Sequence, residues 1–367
     1  MKIIGLEVFG VTYTVRNGGF KLAGGRRFTE FRSAVVRIDT DEGIEGWGEH
    51  ASSPQYMVAL HEGALASLRQ IGPGLIGVDP RQIAVVHEAM NRALKGHQYA
   101  KTAIDIACWD IAGKAAGVPV ATLLGGIHQA EFPMLKMAVM DEPEAMRDQC
   151  RALAEAGFRT VQVKIGNDWR EDVRRIEACL ETAPLFDRII VDANANYHPH
   201  EALHLLNATR DLNFIIEQPC RELEDNLTVR RRTERPFVLD ESLDGLTSVF
   251  RAHAADGFDL AMLKLSRFGG IAPLALARDC CVAWGRPVTI EDMSGGGIIA
   301  AASAHLAAST PARFLVAGSF VTAYVEETYI EGDWPYGARG GLPSLTPGLG
   351  ITVDQAALGA PLFAIRQ

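Results

Sequence analysis

The sequence predicts an α/β protein: a modified TIM barrel of eight parallel strands and seven helices, (β/α)7β, joined to a smaller α+β domain. Three observations predict it. Between positions 164 and 264, five charged residues each close a short apolar run: Lys164 in VQVKIG, Asp192 in IIVDAN, Glu217 in FIIEQP, Asp240 in FVLDES and Lys264 in AMLKLS. Their spacing, 23 to 28 residues, fits one strand, one helix and two loops, repeated. At 367 residues the chain is also too long for a barrel alone, since a barrel takes about 250 residues.

Taken in order, residues 1–15 read as a strand. The stretch 16–27, RNGGFKLAGGRR, is rich in Gly and basic residues and reads as a loop. Residues 30–50 read as a meander of antiparallel strands turned at Asp41-Glu42-Gly43. Helical stretches follow at 55–70, 81–94 and 99–116. The last, AKTAIDIACWDIAGKAAG, is apolar almost all round, so it is expected to lie buried between two domains and to stop at Gly117, with Pro119 just beyond. From 132 the pattern alternates. Strands are expected near 132–139, 160–164, 188–192, 214–217, 236–240, 259–264, 287–291 and 313–317, with a helical stretch in each interval. The tail, 320–367, reads as mostly irregular and returning to the first domain. The expected division is 1–125 for the α+β domain, 126–320 for the barrel and 321–367 for the C-terminal return.

The totals exclude several classes. With 48% apolar and 22% charged residues a large core can form, and the net charge of −9 comes with no basic groove or stripe. Nucleic acid and anionic membrane are therefore excluded as partners. Six cysteines form no CxxC pair and no Cys/His cluster, which points to reduced core thiols rather than zinc. No apolar stretch approaches the roughly 20 residues that span a bilayer, and no leader pattern is visible at the start, so a cytoplasmic location is expected. Gly72-Pro73-Gly74-Leu75-Ile76-Gly77 matches GxGxxG but lacks the strand–turn–helix context of a dinucleotide site. Neither HExxH nor GxSxG occurs.

In a parallel barrel the C-terminal strand ends share one mouth, so the five charged residues are expected to converge. Asp192, Glu217 and Asp240 are hard oxygen ligands suited to Mg²⁺. Any one of them alone could simply cap a helix or pair with a neighbouring base; three in consecutive units argue against coincidence. Lys164 and Lys264 flank them as candidate proton-transfer groups. A lysine beside a metal has its charged form disfavoured, which suits a base; the competing reading is a structural salt bridge to the acids. Asn194, Gln218 and Glu241, close behind the acids, are placed to orient the ligands or the lysines. Ser294 to Ile298, SGGGI, opens a helix, and two readings stand equal: a site for a substrate carboxylate, or a tight turn that needs glycine. Glu291 and Asp292, just before it, face the mouth or cap that helix, one of them in place to hold a substrate ammonium.

On these residues the chain resembles the enolase superfamily, in its muconate-lactonizing (mandelate racemase/muconate lactonizing enzyme) subgroup. The matching motifs are QVK at Lys164, DAN at Asp192, EQP at Glu217, DES at Asp240 and KLSRFGG at Lys264, and the resemblance covers nearly the whole chain. It implies that the α+β domain caps the barrel and that one Mg²⁺ per subunit sits on Asp192, Glu217 and Asp240. It also implies that Lys164 and Lys264 face opposite sides of the α-carbon of a small carboxylate or amino-acid substrate, whose proton leaves through an enediolate. A homo-oligomer is the expected assembly. One departure stands out: the subgroup has Lys-x-Lys on the second strand, and here the first lysine is Gln162.

Within the subgroup, KLAGGRRF, GIEGWGE, PQY around Tyr56, LKGHQYAKTAIDIACWD and TPGLGIT are similar to enzymes acting on proline derivatives. These include cis-3-hydroxy-L-proline dehydratases, which also lack the first lysine, and hydroxyproline-betaine epimerases, whose tryptophan after the seventh strand is matched here to Ser294. The resemblance implies dehydration of cis-3-hydroxy-L-proline to pyrroline-2-carboxylate. The alternative is racemisation or epimerisation of proline, hydroxyproline betaine or another amino-acid derivative. It also implies Tyr56, Gln162, Asp292 and Ser294 as substrate contacts, with Tyr56 and the 16–27 loop reaching from the cap. From other classes, a hydrolase on a similar barrel would want His ligands or a second metal, and neither is seen. A catalytically silent binding protein would have no use for both lysines and all three acids.

Overall fold

The structure, a computed structural model, describes residues 1–367 apart from 22, 55–58, 293, 333 and 335–336. Three long strands begin it: β1 (Ile3–Thr14), β2 (Glu30–Thr40) and β3 (Glu45–Ser52). They pair antiparallel, β2 in the middle. Side chains alternate across this sheet. Leu6, Val8, Ala34, Val36 and Ile38 pack with the first helices, while Phe9, Val11, Tyr13, Phe31 and Val35 face the larger core shared with the barrel. Helices α1 (His61–Ile71), α2 (Ile83–Ala93) and α3 (Gln98–Ala116) cover the first face.

Two glycines bring α3 against the sheet. A Cβ at Gly48 would lie 1.8 Å from the Ala103 carbonyl oxygen, and one at Gly46 would lie 2.2 Å from that of Ala107. As expected of an all-round apolar helix, α3 is buried along most of its length, and Asp105 on it accepts the backbone N–H of Ile271 from the barrel at 2.5 Å. It ends at Gly117 in a left-handed conformation (φ 70°).

All eight strands and seven helices expected of the barrel are present. The strands are β4 (Leu135–Ala138), β5 (Thr160–Lys164), β6 (Arg188–Asp192), β7 (Ile215–Glu217), β8 (Phe237–Leu239), β9 (Leu260–Lys264), β10 (Val288–Glu291) and β11 (Leu315–Ser319). They pair in sequence order, and a parallel bridge from Met134 to Gly318 joins the last to the first. Between them run α4 (Pro143–Glu155), α5 (Trp169–Leu180), α6 (Pro199–Ala208), α7 (Leu223–Arg230), α8 (Leu246–Ala254), α9 (Ile271–Ala283) and α10 (Gly297–Ala308). Leu135, Ile190, Val238, Leu260, Met262 and Val316 fill the interior as one cluster, so the barrel is packed rather than hollow. The alternation then decides the site. On β5, Val161 and Val163 face the helices, so Gln162 and Lys164 point inwards.

The strand expected near 132–139 is divided. Pro133 cannot donate to a ladder, and Glu131–Pro133 pairs instead with Arg339–Gly341 of the tail, before β4 joins the barrel. The 16–27 loop holds a two-residue hairpin, Phe20–Lys21 against Arg27–Phe28. The first helix starts at His61, since Leu60 is extended (φ −104°, ψ 147°); the beginning of the helical stretch expected at 55–70 lies outside the described residues. The chain closes with β12 (Phe363–Arg366), antiparallel to β1. Among the described residues no helix is long and apolar enough to cross a membrane.

Candidate active site

Strand register brings the charged residues level. Lys164 lies beside Asp192, Asp192 beside Glu217, and across the ring Lys264 lies beside Glu291. Asp240 immediately follows β8. The loops that leave these strands are tightly wound: Asn194, Ala195 and Gln218 all have positive φ (45°, 61° and 35°), a conformation that non-glycine residues adopt at a cost. The turn at Gln218 sets its amide under the next loop. Its Oε1 accepts from the backbone N–H of Asp240 (2.8 Å), and its Nε2 donates to Ser242 (2.6 Å). The Asn194 N–H donates to Asp192 Oδ1 (2.7 Å), and its side chain donates to Glu241 (3.2 Å).

A cavity of about 50 Å³ lies between the two lysines, with Gln162, Asn194, Glu291, Asp292 and Tyr324 in its wall. Larger surface grooves lie near Leu203 and Pro236 and around Arg26 and Asn167, and among the described residues neither joins a lysine to a buried acid. Each lysine is ion-paired. Lys164 Nζ meets Asp192 Oδ2 at 2.5 Å; Lys264 Nζ meets Asp240 Oδ2 at 2.6 Å and Glu291 Oε1 at 3.4 Å. Arg267 Nη1 holds the other Asp240 oxygen at 2.7 Å and its carbonyl at 2.6 Å. Gln162 Nε2 donates to Glu217 Oε2 (2.8 Å), while Glu217 Oε1 is buried with no hydrogen-bond partner.

The electrostatics follow from this crowding. Burial, together with Asp192 and Asp240, pushes the Glu217 carboxyl well above the usual range. Burial, Asp240 and Asp192 push Glu241 up to about 7. Burial would raise Asp240 too, but Arg267 and Lys264 outweigh it and hold it far below the ordinary value. The lowering expected from sequence is for a lysine beside a bound metal, and on balance the groups present act on Lys264 in the other direction. Burial acts to lower it, yet Asp240 and Glu291 keep its ammonium well above the ordinary value. Both lysines are thus paired with acids in this structure, a pairing open to either role weighed from the sequence.

Other sequence candidates fall in different places. Tyr56 lies outside the described residues. Asp292 is on the cavity wall, with its Oδ2 taking the N–H and hydroxyl of Ser266 (3.1 and 2.7 Å). Ser294 sits away from the lysines: it accepts from Ser53 Oγ at 2.6 Å and donates to the Ala51 carbonyl at 3.4 Å. The amides at the start of α10, weighed as a carboxylate site, already hold one. Glu49 from β3 accepts from Gly296 (2.8 Å) and Ile299 (3.3 Å). Glycine is needed there as well, since a Cβ at 296 would lie 1.7 Å from the Tyr13 hydroxyl. Arg267 and Glu49 carry no role in the sequence analysis, though Arg267 stands inside the KLSRFGG motif.

Among the described residues no three His, Cys, Asp or Glu side chains stand close enough to hold a metal ion as they are. The chemistry of the mouth nonetheless fits a divalent cation. Asp192, Glu217, Asp240, Glu291 and Asp292 are buried, and Glu241 is half-buried, beside Lys164, Lys264 and Arg267, an excess of acid. The unpartnered Glu217 oxygen is a ready hard ligand. Asp192 and Asp240 would join it by turning from their lysines.

Known proteins resemble the chain over its whole length. Residues 6–125 match the family model for the mandelate racemase / muconate lactonizing enzyme N-terminal domain, and residues 145–357 match the enolase C-terminal domain-like model. The chain is similar to the cis-3-hydroxy-L-proline dehydratase of Roseibium aggregatum, with 40% identity over 99% of both chains. It is 29% identical to the N-succinyl-L-Arg/Lys racemase of Bacillus cereus, over 98% of this chain and 97% of that one. A solved structure of an enolase superfamily member from Roseovarius nubinhibens ISM, complexed with magnesium, superposes with a TM-score of 0.93 at 34% identity over the full length of both.

Proposed function

The chain belongs to the enolase superfamily, in its mandelate racemase/muconate lactonizing enzyme family, and we propose that it is a lyase that dehydrates cis-3-hydroxy-L-proline to pyrroline-2-carboxylate. The observation that carries the proposal is the placement of two lysines. Lys164 ends β5 and Lys264 ends β9, four strands apart in a ring of eight, with the cavity between them. A substrate α-carbon held there would meet a lysine on each face. One lysine takes the α-proton. The other, as an ammonium, gives a proton to the departing 3-hydroxyl, so that water leaves and a carbon–carbon double bond remains. The cyclic enamine then tautomerises to the pyrroline. Mg²⁺ held by Asp192, Glu217 and Asp240 would supply a Lewis acid for the substrate carboxylate. Asp292 and Glu291, on the cavity wall, suit the secondary ammonium of a ring amine. Gln162, tied to Glu217, is neutral where the family carries a second lysine.

The dehydratase at 40% identity supports this substrate. The same pair of lysines also supports racemisation, in which the second lysine returns a proton to the opposite face, and the racemase relative makes that the second reading. On the same view the chain works as 1–125 capping, 126–320 barrel and 321–367 return, the pairing of β12 with β1 supporting the last. A homo-oligomer in the cytoplasm is its expected form; the six unpaired cysteines suit a reducing compartment. The test is incubation with cis-3-hydroxy-L-proline, L-proline and hydroxyproline betaine in D₂O, followed by NMR. Loss of the 3-hydroxy substrate with pyrroline-2-carboxylate appearing is expected. Deuterium gained at the α-carbon of proline or the betaine with inversion, the 3-hydroxy substrate surviving, would establish the racemase instead.

A further inference from the structure

The loop after β10 carries Asp292 to the cavity and then runs through Ser294 to Gly296 into α10. One end of it is fixed within the barrel, where Asp292 accepts from Ser266, two residues past Lys264. The other end is fixed from outside the barrel. Glu49, fully buried on β3, accepts from Gly296 and Ile299, and Ser33 Oγ donates to the same carboxylate at 2.7 Å. Further along, the Ala51 carbonyl on the same strand and then Ser53, just past its end, hold Ser294. A carboxylate at a helix N-terminus satisfies open amides and complements the helix dipole. This one comes from a different layer of the molecule, 247 residues away in sequence.

We propose that Glu49 is a positioning residue: by completing the N-terminus of α10 from the antiparallel sheet, it fixes the 292–296 loop and so holds Asp292 at the cavity wall. The inference rests on that cavity being the active site. It needs no contact between Glu49 and substrate. Without the carboxylate, the amides of Gly296 and Ile299 turn to water, and the loop is left to its tethers at Asp292 and Ser294. A displacement of about 1 Å at a substrate contact is enough to cost on the order of 100-fold in rate.

The test compares Glu49→Ala, Glu49→Gln and Ser53→Ala with wild type by two measurements. Hydrogen exchange of the 292–300 backbone reads the loop directly and needs no substrate. Exchange at Gly296 and Ile299 is expected to quicken at least about tenfold in Glu49→Ala and less in Glu49→Gln, which keeps one acceptor oxygen. Turnover of cis-3-hydroxy-L-proline reads the consequence. Glu49→Ala is expected to lose about 10- to 100-fold in kcat, Glu49→Gln to recover most of it, and Glu49→Ala/Asp292→Ala to be no slower than Asp292→Ala alone. If Glu49→Ala does not fold, Glu49→Gln carries the same tests with smaller effects, and Ser53→Ala serves as the control for the separate Ser294 tether. Unchanged exchange, or losses that multiply with those of Asp292→Ala, would overturn the inference. Failure of wild type to turn over this substrate would count against the proposed reaction, and the exchange data would still decide the role of Glu49.

Discussion

Glu217→Gln should separate stability from function at the barrel mouth. In the metal-free protein the wild-type carboxylate is fully buried, one oxygen has no hydrogen-bond partner, and Asp192 and Asp240 lie close enough to raise its proton affinity. A buried acceptor without a partner costs about 1–3 kcal/mol, and each pK unit of upward displacement adds about 1.4 kcal/mol. Glutamine keeps the volume and the oxygen that Gln162 donates to, and it turns the unpartnered atom into a donor facing two carboxylates. In EDTA at neutral pH the variant is therefore expected to be more stable by about 1–3 kcal/mol. The pH dependence has a definite sign. The folded carboxyl titrates above its unfolded value of 4.5, so wild type gains protons on folding and loses stability as pH rises through that window. The advantage of the variant grows upwards from there and vanishes below. With Mg²⁺ the order reverses: wild type gains about 2.7 kcal/mol at a hundredfold excess over Kd, and a variant lacking the anionic ligand gains little. Calorimetry of both proteins in EDTA and in Mg²⁺, at acid and neutral pH, measures all of this. A variant less stable than wild type in EDTA, or one that keeps the full magnesium-dependent rise in Tm, would refute the reasoning.

The other predictions concern the groups around Glu217. Lys164→Ala and Lys264→Ala are each expected to lose at least about 100-fold in turnover while keeping a magnesium-dependent rise in Tm; near-normal kcat in either would make that lysine a structural partner of its aspartate. The Glu241 carboxyl, pushed up to about 7 from 4.5 by burial, Asp240 and Asp192, makes metal-free stability fall as pH rises between those values. Glu241→Gln should flatten that limb of the curve in urea unfolding, and an unchanged slope would mean that the pH dependence has another source.

The barrel and its charged mouth are legible in the sequence for a physical reason. A strand covered on both faces reads as an apolar run, and a charge at its end has one place to go. Because neighbouring strands keep register, Lys164, Asp192 and Glu217 come level although 53 residues separate the first from the last. What links the two layers is harder to read, because Glu49 and Asp105 find their partners far along the chain. A signal was present for Asp105. An acid in a helix that is apolar all round must find a donor or remain unsatisfied in the core, and Asp105 finds Ile271 and His87. Around Gly296 the turn reading holds, since glycine is required beside Tyr13, while the carboxyl group on the helix start is not a substrate's. It belongs to the protein, a distinction that local sequence does not carry. The small hairpin within 16–27 is too short for any periodicity to show.

The lysines and the carboxylates at this mouth also constrain one another. An ammonium held by Asp240 at 2.6 Å and by Glu291 at 3.4 Å has no lone pair with which to take a proton. The carboxylates that make Lys264 a poor base are thus among those that would hold a cation. Six acids, five of them buried, face three bases here, so positive charge added to the acids weakens their hold on the lysines and lowers the ammonium towards the range where it can exchange protons. Ligand binding and base strength are then set by the same oxygens. Arg267 bears on this balance differently from the lysines. It grips Asp240 at both Oδ1 and the backbone carbonyl, and as a guanidinium it stays charged throughout. It can therefore keep Asp240 in place while Lys264 is released. Both bonds come from one nitrogen, Nη1, so what a lysine at 267 would lack is the fixed charge of the guanidinium, since a buried ammonium can lose its proton.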